Sequence, residues 1–314
     1  MPSTSRRCRE SESIVRTHVS PSTPRLVLLA TVLCLLADAA GAAGAPTPQG
    51  PRSLGPPTPA RVRRVVTLAP SLTEMVIALG AGDTLVGVSR FDEAKEVAKL
   101  PRVGGFVDPS VEAVVALKPD LVLVQPGPGN QRPVEKMAEL GVPVLLLPLH
   151  SVTDVLVGMR AVGGALGRAK EAEAVISRIE ATRTRIREAA KKLPAPRVLF
   201  VYGFEPLVVA GPGSFAHELL KDAGALNVAA DGGSAYPVYS VERVLRARPD
   251  VVVDAADVDV GKDKLRALPG LSSARWVEVP SMALLQPGPS LGRGLEELFR
   301  LLHPEAASKD GAKP

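Results

Sequence analysis

The sequence predicts an α/β protein of two parallel-sheet lobes joined by one long backbone helix. Three observations predict it. Short β-rich runs alternate with helical segments in two series, over 62–150 and 196–303. A stretch of helix formers without strand pattern, 151–195, lies between the series. A segment of the first series also recurs in the second at a constant offset of 130 residues.

Residues 1–45 read as an export signal. Arg6, Arg7, Arg9, Arg16 and Arg25 precede an apolar run, Leu26 to Ala37, and small residues follow it to Ala45. The run is too short for an ordinary membrane span. An uncleaved signal-anchor stays open, as does lipidation at Cys34, although Leu33 is large where lipid attachment wants a small residue. Residues 46–61 are rich in Pro, Gly, Thr and Ser and read as a Pro-rich linker.

The N-terminal lobe, 62–150, opens on the strand Val65 to Ala69. Ser71 with Glu74 three residues on is a capping-box signature, so a helix is expected to start there and to end at Gly80. Leu85 to Val88 is the next strand, then come a helix over Val111 to Leu117 and a strand over Leu121 to Val124. A helix near Pro133 to Leu140 and the strand Val144 to Leu147 complete the lobe. In the backbone region 151–195, Gly163, Gly164 and Gly167 interrupt the helix formers. Arg168 to Leu193 can run as one helix of about 39 Å. The C-terminal lobe, 196–303, carries strands at Val198 to Val201, Val251 to Val253 and Trp276 to Val279, with a last helix near Gly292 to Leu302. Residues 304–314 are a polar tail, expected to fray.

Composition excludes several functions. The chain has 314 residues, enough for two lobes with their own cores. Its formal net charge is +5, but acidic and basic residues mix at short range beyond the leader, and no basic run interleaved with aromatics appears, which argues against nucleic-acid binding. Its two cysteines, Cys8 and Cys34, precede the folded part, so the body holds no disulfide and no cysteine metal site. Four scattered histidines give a zinc enzyme little to work with. An enzyme on paired α/β lobes would need a catalytic cluster that this body does not show, so a non-enzymatic role is expected. His150, at the end of a strand, is an open candidate for touching a ligand metal.

The repeat is specific. Ser110-Val111-Glu112 and Lys118-Pro119-Asp120 in the first series match Ser240-Val241-Glu242 and Arg248-Pro249-Asp250 in the second. Seven positions are identical over the two copies. A weaker match pairs Glu74, Gly80 and Ala81 with Glu218, Gly224 and Ala225. In each copy Ser caps a helix and Pro-Asp turns into a buried strand. Glu112 and Glu242 either serve only the helix dipole or present matched carboxylates to a twofold-symmetric partner bearing arginines.

Aromatic residues are 3% of the chain, so each is informative. Phe91, Phe106, Tyr202, Phe204, Tyr236 and Tyr239 fall at expected loop positions of both lobes. As a set they suit a flat, largely apolar ligand held between lobes, where the carboxyl ends of parallel strands place binding loops.

The body, about 62–303, resembles the class III periplasmic binding proteins of ABC transporters, and within them the cobalamin-binding members. The resemblance lies in Arg64-Val65-Val66-Thr67-Leu68-Ala69-Pro70-Ser71-Leu72-Thr73-Glu74, Val86-Gly87-Val88-Ser89, Val111 through Val122, and Val241-Glu242-Arg243-Val244-Leu245. It implies a periplasmic protein, without a cofactor of its own, that captures a corrinoid such as cobalamin and delivers it to a permease dimer. It implies that Glu112 and Glu242 meet arginines of the permease, that Phe91, Phe106 and Tyr236 are cleft aromatics, and that lobe closure is small. The chain departs from the cobalamin binders at Met282 to Pro289, where their loop is acidic and aromatic. Gln286 is the candidate contact there, alongside Tyr202 and Tyr239 elsewhere in the cleft. Haem, a ferric siderophore or another corrinoid remain alternative ligands, and a non-transport sensor module is the alternative role.

Overall fold

The computed structural model describes residues 50–309 apart from residue 128. The export signal, with Cys8 and Cys34, and the last five residues of the tail lie outside the described residues. Among the described residues no helix is long and apolar enough to cross a membrane.

The N-terminal lobe contains β1 (Arg52–Leu54), β2 (Val65–Thr67), α1 (Pro70–Ala78), β3 (Leu85–Gly87), α2 (Val111–Ala116), β4 (Leu121–Val124), α3 (Gln131–Glu139) and β5 (Val144–Leu146). Its sheet order is β1-β5-β4-β2-β3, parallel except for β1. α4 (Val152–Ala165) and α5 (Ala169–Ala190) follow. The C-terminal lobe contains β6 (Arg197–Phe204), β7 (Leu207–Val209), α6 (Phe215–Asp222), β8 (Leu226–Asn227), α7 (Val241–Ala247), β9 (Val251–Asp254), α8 (Lys262–Arg266), β10 (Arg275–Glu278), α9 (Leu291–Leu302) and α10 (Pro304–Lys309). Its sheet runs β10-β9-β6-β7, with β8 also on β6. Here only β7 is antiparallel.

The central strands read as continuous apolar runs because both sheet faces are covered: Val65, Val66, Leu121, Val122, Val198, Leu199 and Phe200 are fully buried. The backbone helix α5 spans about 33 Å over its 22 residues. Ala172, Val175, Ile176, Ile179 and Ile186 form its buried stripe, at helical spacing. That stripe belongs to one hydrophobic cluster that holds Val65 and Leu121 of the first lobe and Val198, Phe200 and Val251 of the second. Where α4 crosses α5, a Cβ on Gly163 would stand 2.6 Å from the Ala172 methyl, so only glycine permits that approach. The far end of α5 is held to α6 by Arg183 and Arg187, each 2.6 Å from the buried Asp222 carboxylate. α9 lies along α5 and is tied to the second lobe by Arg275 of β10, whose guanidinium donates to the carbonyls of Leu301 and Leu302.

The sequence repeat is a structural repeat. The Ser110 and Ser240 hydroxyls cap α2 and α7, accepting from the amides of Ala113 and Arg243. Lys118 and Arg248 both take the left-handed conformation, at φ of 45° and 47°, before the prolines. Asp120 accepts the Arg63 and Arg64 amides, and Asp250 accepts the Arg197 amide. Arg64 and Arg197 each send a guanidinium back to the end of the repeat helix, to Leu117 O and Ala247 O. Val65 pairs with Leu121 as Val198 pairs with Val251, so the two sheets share a register. Replacing Asp120 or Asp250 by alanine is expected to cost about 1–2 kcal/mol of unfolding stability in each case. Urea denaturation checks this, and a loss confined to one copy would show that the two turns are not equivalent.

Several expectations change. Residues 52–54 are an edge strand of the first sheet rather than part of a free linker. The helix α1 starts at Pro70, its N-cap is Ala69 with no side-chain cap, and Ser71 is buried inside it, so there is no capping box at Ser71 and Glu74. Pro70 sets the start because a missing N–H costs nothing in the first helical turn. Residues 304–309, expected to fray, form α10. Tyr202 and Phe204 are not on a loop: β6 continues through Phe204 because β7 folds back and pairs with it.

Candidate functional site

A cavity of about 280 Å³ lies at the carboxyl ends of β9 and β10 in the second lobe, where one residue of the first lobe reaches it. Glu93, from the segment after β3, supplies the first lobe's wall. Asp254 to Asp257, Asp259 and Lys262, after β9, and Glu278 to Met282 with Leu285, after β10, supply the second. This is where parallel α/β sheets place ligands. Five carboxylates face one ammonium among these lining residues, so the wall is electronegative.

Lys262 organises that wall. Its Nζ lies 2.6 Å from Asp254, 3.2 Å from Asp259 and 3.3 Å from Glu278. Burial pulls its pKa down, but the hydrogen bonds to Asp254, Asp259 and Glu278 outweigh burial and hold it well above the ordinary lysine range. Asp254 is buried and also accepts the Ala256 amide, so it fixes the turn leaving β9.

The aromatic candidates separate into groups. Phe91 and Phe106 stand on neighbouring loops of the first lobe, both half-buried. Arg90 lies over the Phe91 ring, 5.1 Å from its centroid, and pairs with Asp108. Beneath this loop Ser89 donates to Asp92 at 2.7 Å, and burial raises the Asp92 carboxyl above its usual range despite that bond. The Phe106 ring covers Gly127, at the end of β4. The buried Asn130 amide holds both loops, donating to the carbonyls of Phe106 and Gln125 and accepting the Gly127 amide. In sequence Asn130 reads only as the last residue of the turn Gly127-Pro128-Gly129-Asn130; its bond to Phe106, 24 residues away, is not legible there.

In the second lobe Tyr202 and Tyr236 meet edge to face, 5.4 Å between centroids. Burial pushes the Tyr236 hydroxyl up to about 12, and burial with the neighbouring Tyr236 raises Tyr202 well above its ordinary value. Both are neutral phenols at physiological pH; Tyr202 is buried in the core, and only the half-buried Tyr236 keeps part of its ring accessible. Tyr239 does not join them. It is buried in a separate cluster, its hydroxyl donating to Val228 O and Asp231, with Arg243 over its ring. Its expected place on an open binding loop is corrected: it is a packed residue that anchors the loop before α7. Phe204 likewise packs on Trp276, 6.2 Å away. Gln286 is half-buried beside the cavity residue Leu285, its backbone N–H donating to Met282 O. His150 is exposed in the turn after β5.

Glu112 and Glu242 are exposed at matching positions in the first turns of α2 and α7. The Ser110 hydroxyl donates to Glu112, and its own backbone amide and Ser240 lower the pKa of Glu242. Both carboxylates are free to accept an arginine.

A family model described as periplasmic binding protein matches residues 65–275. The vitamin B12-binding protein of Pectobacterium carotovorum subsp. carotovorum (strain PC1) is 29% identical over 200 residues, 63% of this chain and 72% of that one. Among solved structures, the periplasmic heme-binding protein RhuT from Roseiflexus sp. RS-1 is similar with a TM-score of 0.69 at 29% identity, covering 78% of this chain and 99% of that one. The periplasmic vitamin B12-binding protein BtuF of Vibrio cholerae is similar with a TM-score of 0.63 over 78% of this chain and 98% of that one. Its 24% identity speaks for the fold alone.

Proposed function

This chain belongs to the periplasmic binding protein family, and from that premise we propose that it captures a corrinoid such as cobalamin between its lobes and delivers it to an ABC-transporter permease dimer. The observation that carries the reading is the cavity shared by the two lobes, with its excess of carboxylates. A corrin ring edged by neutral amides donates hydrogen bonds to such a wall, whereas the propionates of haem meet like charge. None of the aromatic candidates lines that cavity; in this reading the half-buried Phe91, Phe106 and Tyr236 add ring surface beside it, Tyr202 backs Tyr236 from the core, and Gln286, next to Leu285, adds an amide. Capture and release involve no bond making.

Haem is the second reading, favoured by the similarity to the heme-binding RhuT at the same 29% identity as the curated vitamin B12-binding relative. Calorimetric titration of the exported chain with cyanocobalamin and with hemin separates the two. One-to-one cyanocobalamin binding in the sub-micromolar range supports the proposal, hemin binding alone replaces it with the second reading, and heat from neither returns weight to a sensor role. Docking is tested separately. Reversing both Glu112 and Glu242 to lysine is expected to abolish ligand delivery to vesicles carrying the cognate permease while ligand affinity stays within about twofold. Unchanged delivery would remove both residues from the docking surface.

A further inference from the structure

We propose that Glu74 and Glu218 form a crossed pair of ties between the lobes that sets how far the cleft can open. The inference rests on the binding reading and deepens it, since the separation of the lobes decides how far the cleft assigned to the ligand can open.

The two glutamates occupy equivalent places. Each sits half-buried on the first helix of its lobe, α1 after β2 for Glu74 and α6 after the β6–β7 pair for Glu218. The helices end alike. The Gly80 amide donates to Ile77 O and the Ala81 amide to Val76 O. The Gly224 amide donates to Lys221 O and the Ala225 amide to Leu220 O. Gly80 and Gly224 both adopt positive φ, 69° and 75°, as this helix ending requires. The weak sequence match between these segments is therefore a second structural repeat.

Each glutamate reaches out of its own lobe. Glu74 accepts the Ser290 hydroxyl at 3.1 Å, and Ser290 is the N-cap of α9, the helix bound to the second lobe. Glu218 accepts the Val152 amide at 3.0 Å, and Val152 is the first residue of α4, which leaves the first lobe. In α4 the capping box of Ser151 and Asp154 satisfies the Asp154 and Ser151 amides. The Val152 amide has no partner within its helix, and the carboxylate from the other lobe supplies one. So each lobe's first helix grips, through a carboxylate, the positive end of a helix fastened to the other lobe.

The surroundings of Glu74 leave room for movement. A cavity of about 370 Å³ separates α1, α5 and α9 there, lined by Glu74, Arg178, Thr182, Ser290, Arg293 and Glu296 among others. Beside this cavity Glu74 meets the start of α9 through the Ser290 hydroxyl and backbone amide, with the Arg293 charge nearby. Two ties at separate places between the lobes resist opening and twisting together, which one tie alone does not do.

The test uses the full chain without ligand, with Cys8 and Cys34 replaced by serine and spin labels at Arg132→Cys and Arg246→Cys, exposed positions on α3 and α7. Pulsed electron resonance reads the distribution of distances between the lobes. The Glu74→Ala/Glu218→Ala pair is expected to broaden it roughly twofold, each single change less, with width restored by glutamine at both sites, whose amide oxygens still accept. An unbroadened distribution overturns the proposal, and so does broadening that persists with glutamine. Should the double variant fail to fold, hydrogen exchange of the Val152 amide in Glu218→Ala is expected to speed by about tenfold, and unchanged exchange sinks the idea. None of these readouts needs a ligand, so failure to bind cyanocobalamin or hemin would overturn the binding reading and leave this measurement standing.

Discussion

Replacing Phe106 or Tyr236 by alanine is expected to weaken cyanocobalamin binding by roughly 30- to 1,000-fold, about 2–4 kcal/mol. The rings come from opposite lobes, so each change strips one wall of the proposed cleft. An aromatic ring brings 150–250 Å² of surface to a contact. Both rings are already half-buried and held in place, Phe106 by Asn130 and Gly127, Tyr236 against Tyr202, so little ordering remains to oppose binding. Tyr239→Phe is the comparison. It removes the hydrogen bonds to Val228 and Asp231 and is expected to lower stability by about 1 kcal/mol while leaving affinity unchanged. Calorimetry on folded protein, with circular dichroism to confirm the fold, checks all three. An affinity loss for Tyr239→Phe comparable to that for Tyr236→Ala would mean that the ligand sits elsewhere.

Lys262→Met carries the second large effect, a loss of about 3–5 kcal/mol in stability. Methionine keeps the length of the side chain but strands Asp254, which is buried and would keep only the Ala256 amide. Asp259 and Glu278 would then repel it as well. The stranded carboxylate also makes the loss depend on pH. Acid that neutralises it removes an uncompensated buried charge, so the penalty is full at neutral pH and shrinks as pH falls. In the native protein the raised Lys262 pKa contributes stability that is complete below the unfolded lysine value and is lost only as pH rises through the folded one. Urea denaturation at acidic, neutral and alkaline pH measures both. A deficit under about 1 kcal/mol at neutral pH, or one independent of pH, would show that Asp254 finds solvent or another donor.

Much of the fold was legible because its determinants are local. Ser110 and Ser240 announce capped helices, Pro119-Asp120 and Pro249-Asp250 announce turns, and the apolar runs they lead into are β4 and β9. What the sequence hid depends on distant partners. Ser71 and Glu74 have the spacing of a capping box, but Pro70 takes the helix start and Glu74 bonds a serine 216 residues away. Tyr202 reads as a loop residue until β7 pairs back and extends β6 past it. Tyr239 and Tyr236 look alike in sequence, and Asp231 and Val228, both earlier in the chain, decide that only one is anchored in the core. The acidic cavity wall was missed for the same reason, since Glu93 joins Asp254 and Glu278 only when the lobes are assembled.

The edge strand β1 bears on how this protein can be handled. It covers Val144 to Leu146 of β5 with an antiparallel partner drawn from an otherwise proline-rich stretch. A chain trimmed to begin at residue 61 loses that cover and leaves the β5 backbone open along a flat apolar edge, a template for pairing between molecules. Such a trimmed protein invites self-association and cloudy concentrated samples. Beginning no later than residue 50 keeps the edge closed.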